Sequence, residues 1–289
     1  MNALWMLFAC FLFATMGACV KLAGGYFNVG QAVGIRGFLP VLGIGLWIVW
    51  QQQSLRTVHW KSHLYRSAAG SVAMLMYFAA ITRLPLATAV TLNNCSALFL
   101  AAVISIRQPP PRLVAACILL GFAGVIMVLR PTFTADQWLG GLLGLGSAAF
   151  ACIAQLNLRD LGRAGEPEWR TVFFLSSANT LLALPLAVTQ PSSPSEASLS
   201  AWGFLLAVGI CGGVGQLALT RAFSLGRAIV ASSLGYSTVI FSSLYGALLW
   251  QEKIPPLSWL GMALIIVTSL VIARPATWAR PETGHGRSD

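Results

Sequence analysis

Runs of about 17 to 25 mainly apolar residues recur along almost the whole chain, separated by short polar or Pro/Gly breaks, and this recurrence leaves few folds open. At 1.5 Å per residue, such a run is long enough to cross about 30 Å of hydrocarbon as a helix. The runs fall at 3–22, 30–50, 64–83, 86–106 and 112–130, and, after the polar break Pro131–Asp136, at 138–157, 170–189, 201–220, 228–250 and 256–274. The first has no basic segment before it and is too long for a cleaved leader, so it reads as a retained helix. With 57% of 289 residues apolar and only 9% charged, a soluble core could not absorb the apolar surface. The expected fold is an all-α integral membrane protein of ten transmembrane helices.

The net charge of +10 would suggest nucleic acid in a polar chain, but here no aromatic-interleaved basic patch exists. The basic residues sit in the gaps. One set of alternate gaps collects Arg56, Lys61, Arg66, Arg107, Arg112, Arg159, Arg163, Arg170, Arg221, Arg227, Arg274, Arg280 and Arg287, most of the 18 Lys and Arg. The opposite gaps hold Arg83, Arg130 and Lys253, while Lys21 and Arg36 fall within or at the ends of the first two helices. Cytoplasmic loops retain positive charge, so the first set is expected inside, with both termini cytoplasmic, in the plasma membrane of a bacterium.

Five helices in each half make an odd number, so two homologous halves would lie in opposite orientations. A shift of 142 residues superposes Ala80 on Ala222, Ala89 on Ala231, Leu92 on Leu234 and Phe99 on Phe241. A shift of 144 aligns Arg130-Pro131 with Arg274-Pro275, and one of 133 aligns Trp5 with Trp138 and Ala18-Cys19 with Ala151-Cys152. The expected organisation is two inverted five-helix repeats, 1–131 and 132–275, followed by a polar, disordered tail over 276–289. Inverted repeats place a site near the bilayer midplane and permit alternating access, which points to a secondary transporter.

From Tyr77 to Pro131, with "PLATAVTLNNCSALF" and "GFAGVIMVLRP", and from Thr220 to Pro275, with "RAFSLGRAIVASSLGYSTVIF" and "QEKIPPLSWLGMALIIV", the chain resembles paired EamA-type domains of the drug/metabolite transporter superfamily. The resemblance implies a ten-helix carrier that exports or exchanges small metabolites. These motifs of small, apolar and turn residues specify fold better than cargo. Two departures stand out. Ala97 occupies a place in helix four where many relatives have proline, and Arg107-Gln108 stands where an acid is common, while the second half keeps Glu252, read as structural.

A charge near the bilayer centre costs at least about 2.5 to 3.5 kcal/mol on insertion scales, so intramembrane cations are candidates for function. Arg36, a turn or two into helix two, would bind a carboxylate or phosphate through its planar fork; the alternative is snorkelling to the headgroups. Lys21, at the outer end of helix one, would share that anion site or snorkel. Asn93 and Asn94 in helix four, Gln155 in six, Gln216 in eight and Tyr236 with Ser237 in nine form a candidate hydrogen-bonding set, Asn94 and Tyr236 being related by the 142-residue shift. Plain interhelical bonding is the competing account. Glycines at 140, 141, 144 and 146 in helix six, and at 209, 212, 213 and 215 in helix eight, permit close packing or sliding.

Every acid falls in a gap or tail, and the histidines His59, His63 and His285 lie on the basic side, so no proton relay or carboxylate sodium site is expected at mid-depth. The six cysteines all sit in apolar runs without metal-ligand spacing. No cofactor is expected. The expected partners are a small-molecule substrate and the lipid bilayer, with no nucleic acid and a homodimer left open. An exporter, uniporter or exchanger of amino-acid-like or other carboxylate- or phosphate-bearing metabolites leads. Export of apolar drugs or aromatic compounds, with Trp5, Tyr77 and Trp138 as contact surface, competes; a membrane-embedded enzyme or a channel ranks lower, since no HExxH or phosphate loop is present.

Overall fold

The computed structural model describes residues 2–96, 98–99, 102–103, 112–129, 135–225, 235, 237–252 and 255–272. Among these the chain forms ten α-helices and no strand: α1 (Asn2–Ala23), α2 (Val29–Trp50), α3 (Trp60–Ile81), α4 (Leu86–Asn94), α5 (Arg112–Leu129), α6 (Ala135–Arg163), α7 (Glu168–Thr189), α8 (Leu199–Leu225), α9 (Ser237–Trp250) and α10 (Pro256–Ile272). A single 3-10 turn, Pro194–Glu196, precedes α8. Six helices, α1–α3 and α6–α8, are long and apolar enough to cross a membrane. Large apolar side chains such as Leu46, Val49, Leu119, Ile126, Leu181 and Leu248 are exposed, as helices facing acyl chains require. The bounds of α1, α2 and α7 follow the apolar runs to within about two residues, whereas α6 (Ala135–Arg163) and α8 (Leu199–Leu225) run beyond theirs and α4 (Leu86–Asn94) covers only the first part of 86–106. Tyr236, Ala97, Arg107-Gln108 and the tail lie outside the described residues.

Short connections make successive helices alternate in direction, which sorts the gaps onto two ends of the bundle. One end, here the K end, carries 24–28, 82–85, 190–198, 251–252 and 255; the other, the E end, carries 51–59 and 164–167. The strongest packings join α1 with α8, α3 with α6, α2 with α7, and α5 with α10. Lesser ones join α2 with α8, α3 with α7, α1 with α9, α4 with α6, and α4 with α9. Moving every helix five places along converts each of these pairings into another of the same set.

Where helices touch, small residues let backbones meet. A Cβ on Gly30 would lie 2.8 Å from Ala187 Cα, and one on Gly213 would lie 2.6 Å from Pro40 Cγ. Lipid offers no hydrophobic drive for helix association, so this close contact is what holds the pairs. The α1–α2 gap is tied to the α7–α8 gap by neutral hydrogen bonds. Asn28 caps α2, its Oδ1 accepting from Gln31 N at 2.8 Å, and its Nδ2 donates to Ala187 O at 3.2 Å and Gln190 O at 3.0 Å. Ser193 N donates to Tyr26 O at 3.0 Å. Gly30→Val should therefore cost about 1 to 3 kcal/mol by overpacking against α7, read as a lowered thermal midpoint in detergent. Gly34→Ala, whose new Cβ meets only Ala183 Cβ at 3.9 Å, should leave the midpoint unchanged.

Candidate functional site

Arg36 lies seven residues after Val29, about 10 Å along the axis of α2, and is 2% exposed. Its stem rests on α8. A Cβ on Gly212 would fall 2.7 Å from Arg36 Cγ and 3.1 Å from Met16 Sδ, so glycine there is what admits the side chain. Nη2 donates to Gln216 Oε1 at 3.4 Å, one turn further along α8, and Nε is buried with no partner among the described residues. Tyr77, 6% exposed, and Arg66 lie within electrostatic range of this guanidinium. Arg36 and Gln216, separate candidates in the sequence, are thus brought together, with Tyr77 in electrostatic range.

Other candidates have their own partners. Asn93 Oδ1 accepts from Ser147 Oγ at 2.9 Å, joining α4 to α6, and Gln155, an exposed residue of α6, donates from Nε2 to Ser96 Oγ, two residues past the end of α4, at 3.2 Å. Asn94 Nδ2 is buried and without a partner among the described residues. Trp5 is 37% exposed with the Arg221 guanidinium 5.3 Å from its ring, and Trp138 is also exposed, so neither stands beside Arg36.

Lys21 belongs to the K end. It forms an ion pair with Glu252 and stands 4.8 Å over the Trp250 ring. Gln251 adopts a left-handed turn (φ 49°) after α9, which brings Glu252 back onto the bundle, where Oε2 accepts from Leu86 N at 3.1 Å at the start of α4. The carboxylate therefore fastens α1, α4 and α9, the structural role read from the sequence.

At the E end, Glu166 is half-buried although it lies in a connection. Its carboxylate accepts from Thr57 Oγ1 and, at 2.7 Å, from Arg170 Nη1, and His63 Nε2 stands 3.6 Å away. Arg170 also donates from Nη2 to Ser54 O at 2.9 Å and lies over Trp169. His63 is 2% exposed and packs on Phe174 at 4.8 Å. A histidine and an acid assigned to open loop are in fact packed together.

The main correction concerns Arg66. Counted among the basic gap residues, it lies inside α3, 8% exposed, with its Nε buried and unpartnered among the described residues. Asn179 on α7 is likewise 1% exposed with both amide atoms unpartnered, and Ser67 and Ser71 on α3 carry buried, unpartnered hydroxyls. A cation beside the loop boundary gave no signal that its head turns inward. A lone Asn in α7 gave none either. The six cysteines are free thiols, and no group of metal-ligating residues occurs among the described residues. A recess of about 520 Å³ opens among α2, α3, α6 and α7 at the K end, lined by Asn28, Met76, Arg83, Leu143 and Gln190; it does not reach Arg36.

Burial works against ionising Glu166, but the Thr57 and Arg170 hydrogen bonds and the charges of Arg170 and His63 outweigh it and hold the carboxyl below its ordinary 4.5. A depressed carboxylate contributes stability above that value and loses it as pH falls through the lower folded one. The thermal midpoint of the wild type should therefore fall more steeply below pH 4.5 than that of Glu166→Gln, measured in detergent across the acid range.

The sequence profile of the EamA-like transporter family matches residues 1–130 and 138–274. A pseudopaline exporter of Pseudomonas aeruginosa is 31% identical over 268 residues, covering 92% of this chain and 93% of that protein. A riboflavin transporter of Vibrio cholerae is 26% identical over 288 residues, covering 94% and 93%. A solved crystal structure of 18% identity superposes with a TM-score of 0.67 over 96% of this chain and 99% of that one, a likeness of fold.

Proposed function

We propose that this chain, which belongs to the EamA-like transporter family and is a membrane transporter of small molecules, not an enzyme, exports carboxylate- or phosphate-bearing metabolites by alternating access. The observation that carries the anionic cargo is Arg36: a guanidinium 2% exposed, bonded to a neutral amide and with no acid against it among the described residues. Arginine keeps its proton at any physiological pH, so a bound anion is the natural neutraliser of that charge. Export is supported by the name of the pseudopaline exporter, which matches over nearly the full length of both chains.

The ten helices are read as ten spans in two inverted five-helix repeats, a reading supported by the helix pairings that recur five places on. The repeats are assigned to 1–131 and 132–275. The basic gaps put the E end, with Arg56, Lys61 and Arg170, on the cytoplasmic side of a bacterial plasma membrane, and both termini with it. Gln216, Tyr77 and Asn94 are assigned to the wall of the central site. Lys21 is assigned to the closure of the outer side, through Glu252.

In proteoliposomes, Arg36→Ala should lose counterflow of anionic solutes by about a hundredfold, the scale of a lost charged hydrogen-bond partner, while eluting as a folded protein. Unchanged transport would remove Arg36 from the mechanism.

A further inference from the structure

Two arginines, not one, hold their charge inside this bundle, and their heads converge from opposite ends. Arg36 enters from the K end of α2 and reaches towards Gln216, which follows three residues after Gly213, the glycine packed on Pro40. Pro40 is at the middle of the 22-residue α2. Arg66 starts near the E end of α3. A side chain there that sought water would follow the usual helical tilt back towards the N-terminus. It does the reverse: a Cβ on Gly70, one turn deeper, would lie 2.5 Å from Arg66 Nη1 and 2.7 Å from Leu175 Cδ1. Gly70 is at the middle of the 22-residue α3.

Asn179 stands at a similar depth. It stands at the middle of the 22-residue α7, between Ser176 and Thr180, the two residues that pack on Gly37 beside Arg36. Both its amide atoms are without partners among the described residues, as are Nε of each arginine and the Ser71 hydroxyl. The half-buried acids Glu166 and Glu252 are taken up at the two ends by Arg170, Thr57, Lys21 and Leu86 N–H. Two permanent positive charges within electrostatic range of each other repel, and neither relaxes by losing a proton. A singly charged anion would leave one of them uncompensated.

We infer that Arg66 and Asn179 form a second anion subsite facing Arg36, and that the solute carried is one with two negative charges, a dicarboxylate or a phosphate dianion. This rests on the anion-carrier reading above and specifies it. Arg66 supplies the second fork, Asn179 supplies an amide that donates to one carboxylate oxygen, and Gly70 keeps the space the guanidinium turns into.

The test measures binding, by thermal stabilisation of the full-length protein in nanodiscs, of malonate, succinate, glutarate and adipate against their monomethyl esters, with inorganic phosphate as a separate arm. At least one diacid, or phosphate at pH 8 over pH 5, should bind the wild type about tenfold tighter than its singly charged counterpart. Arg66→Met should bring that ratio to within about twofold while keeping the half-ester within about threefold, and Arg66→Lys should restore much of it. Arg36→Met should weaken diacid and half-ester alike. Diacid preference carries the dicarboxylate form, and phosphate preference alone carries the phosphate form. If half-esters bind but no dianion is preferred by the wild type, or if Arg66→Met keeps the full ratio, the second subsite is overturned and a single-charge carrier stands. The wild-type ratio decides this even where Arg66→Met does not fold. If no anion of the panel stabilises the wild type, the anion reading itself falls and the second subsite with it.

Discussion

Gly212 lets α8 approach α2 until the stem of Arg36 lies on its backbone, and this contact sets the depth at which a permanent charge is held. Without it, the guanidinium would have to turn towards the headgroups, the cheaper course for a long cation on a membrane helix. With it, the head is kept among Met16, Gln216 and Tyr77, in surroundings too apolar to be indifferent to a bound anion. The glycines at 30, 37 and 213 serve the same end by pinning α2 to α7 and α8, so that the helix carrying the charge cannot drift along its axis. Packing here is the means by which position is transmitted to chemistry. A membrane bundle has little else to do it with, since lipid competes for every apolar side chain.

Around this centre the two ends are closed by different means. The K end joins its facing gaps with neutral amide and carbonyl hydrogen bonds through Asn28, Gln190 and Ser193, and adds the Lys21–Glu252 ion pair on α1 and α9. The E end joins its facing gaps through Glu166, Arg170, Thr57 and Ser54. These are corresponding connections once helices are counted five places on: the gap after α1 with that after α7, and the gap after α6 with that after α2. The architecture recurs while the chemistry does not.

Much of the fold could be read from hydropathy alone, because helix ends in a membrane protein fall where polar groups resume and water becomes available. The run assigned to 30–50 and the helix Val29–Trp50 differ by one residue. The site was legible in part. Arg36 is conspicuous as a charge deep in an apolar run, and Gln216 as an amide among glycines. Arg66 was not, because its Cα is close to a basic gap and only its rotamer carries it inward. For Asn93 and Gln155 the sequence could not give the partners, since a polar residue in an apolar run looks the same whether it faces a solute or bonds to Ser147 or Ser96. Glu166 and His63 show the same limit from the other side: His63, read as lying just outside helix three, is a buried residue of α3, and the gap residue Glu166 is half-buried against it.

The ion pair at the K end has no counterpart at the other. Under the shifts that align the halves, 133 residues for the first helices and 144 for the later ones, Lys21 falls on Ala154 and Glu252 on Gln108. The second half thus carries alanine where the lysine would fall and the first half glutamine where the acid would fall, so the E end has no matching pair. In a symmetric carrier, the two facing states would be related by exchange of the halves and nearly equal in energy. Here the pair at Lys21 favours closure of the K end, while the Glu166 cluster favours closure of the E end through a carboxylate already shared with Arg170 in both states, because those two residues are one turn apart on the same segment. Opening the E end forfeits only the bonds to Thr57 and Ser54 and the nearness of His63. Opening the K end separates Lys21 from its only acid among the described residues. The imbalance makes the K end the costlier of the two to open.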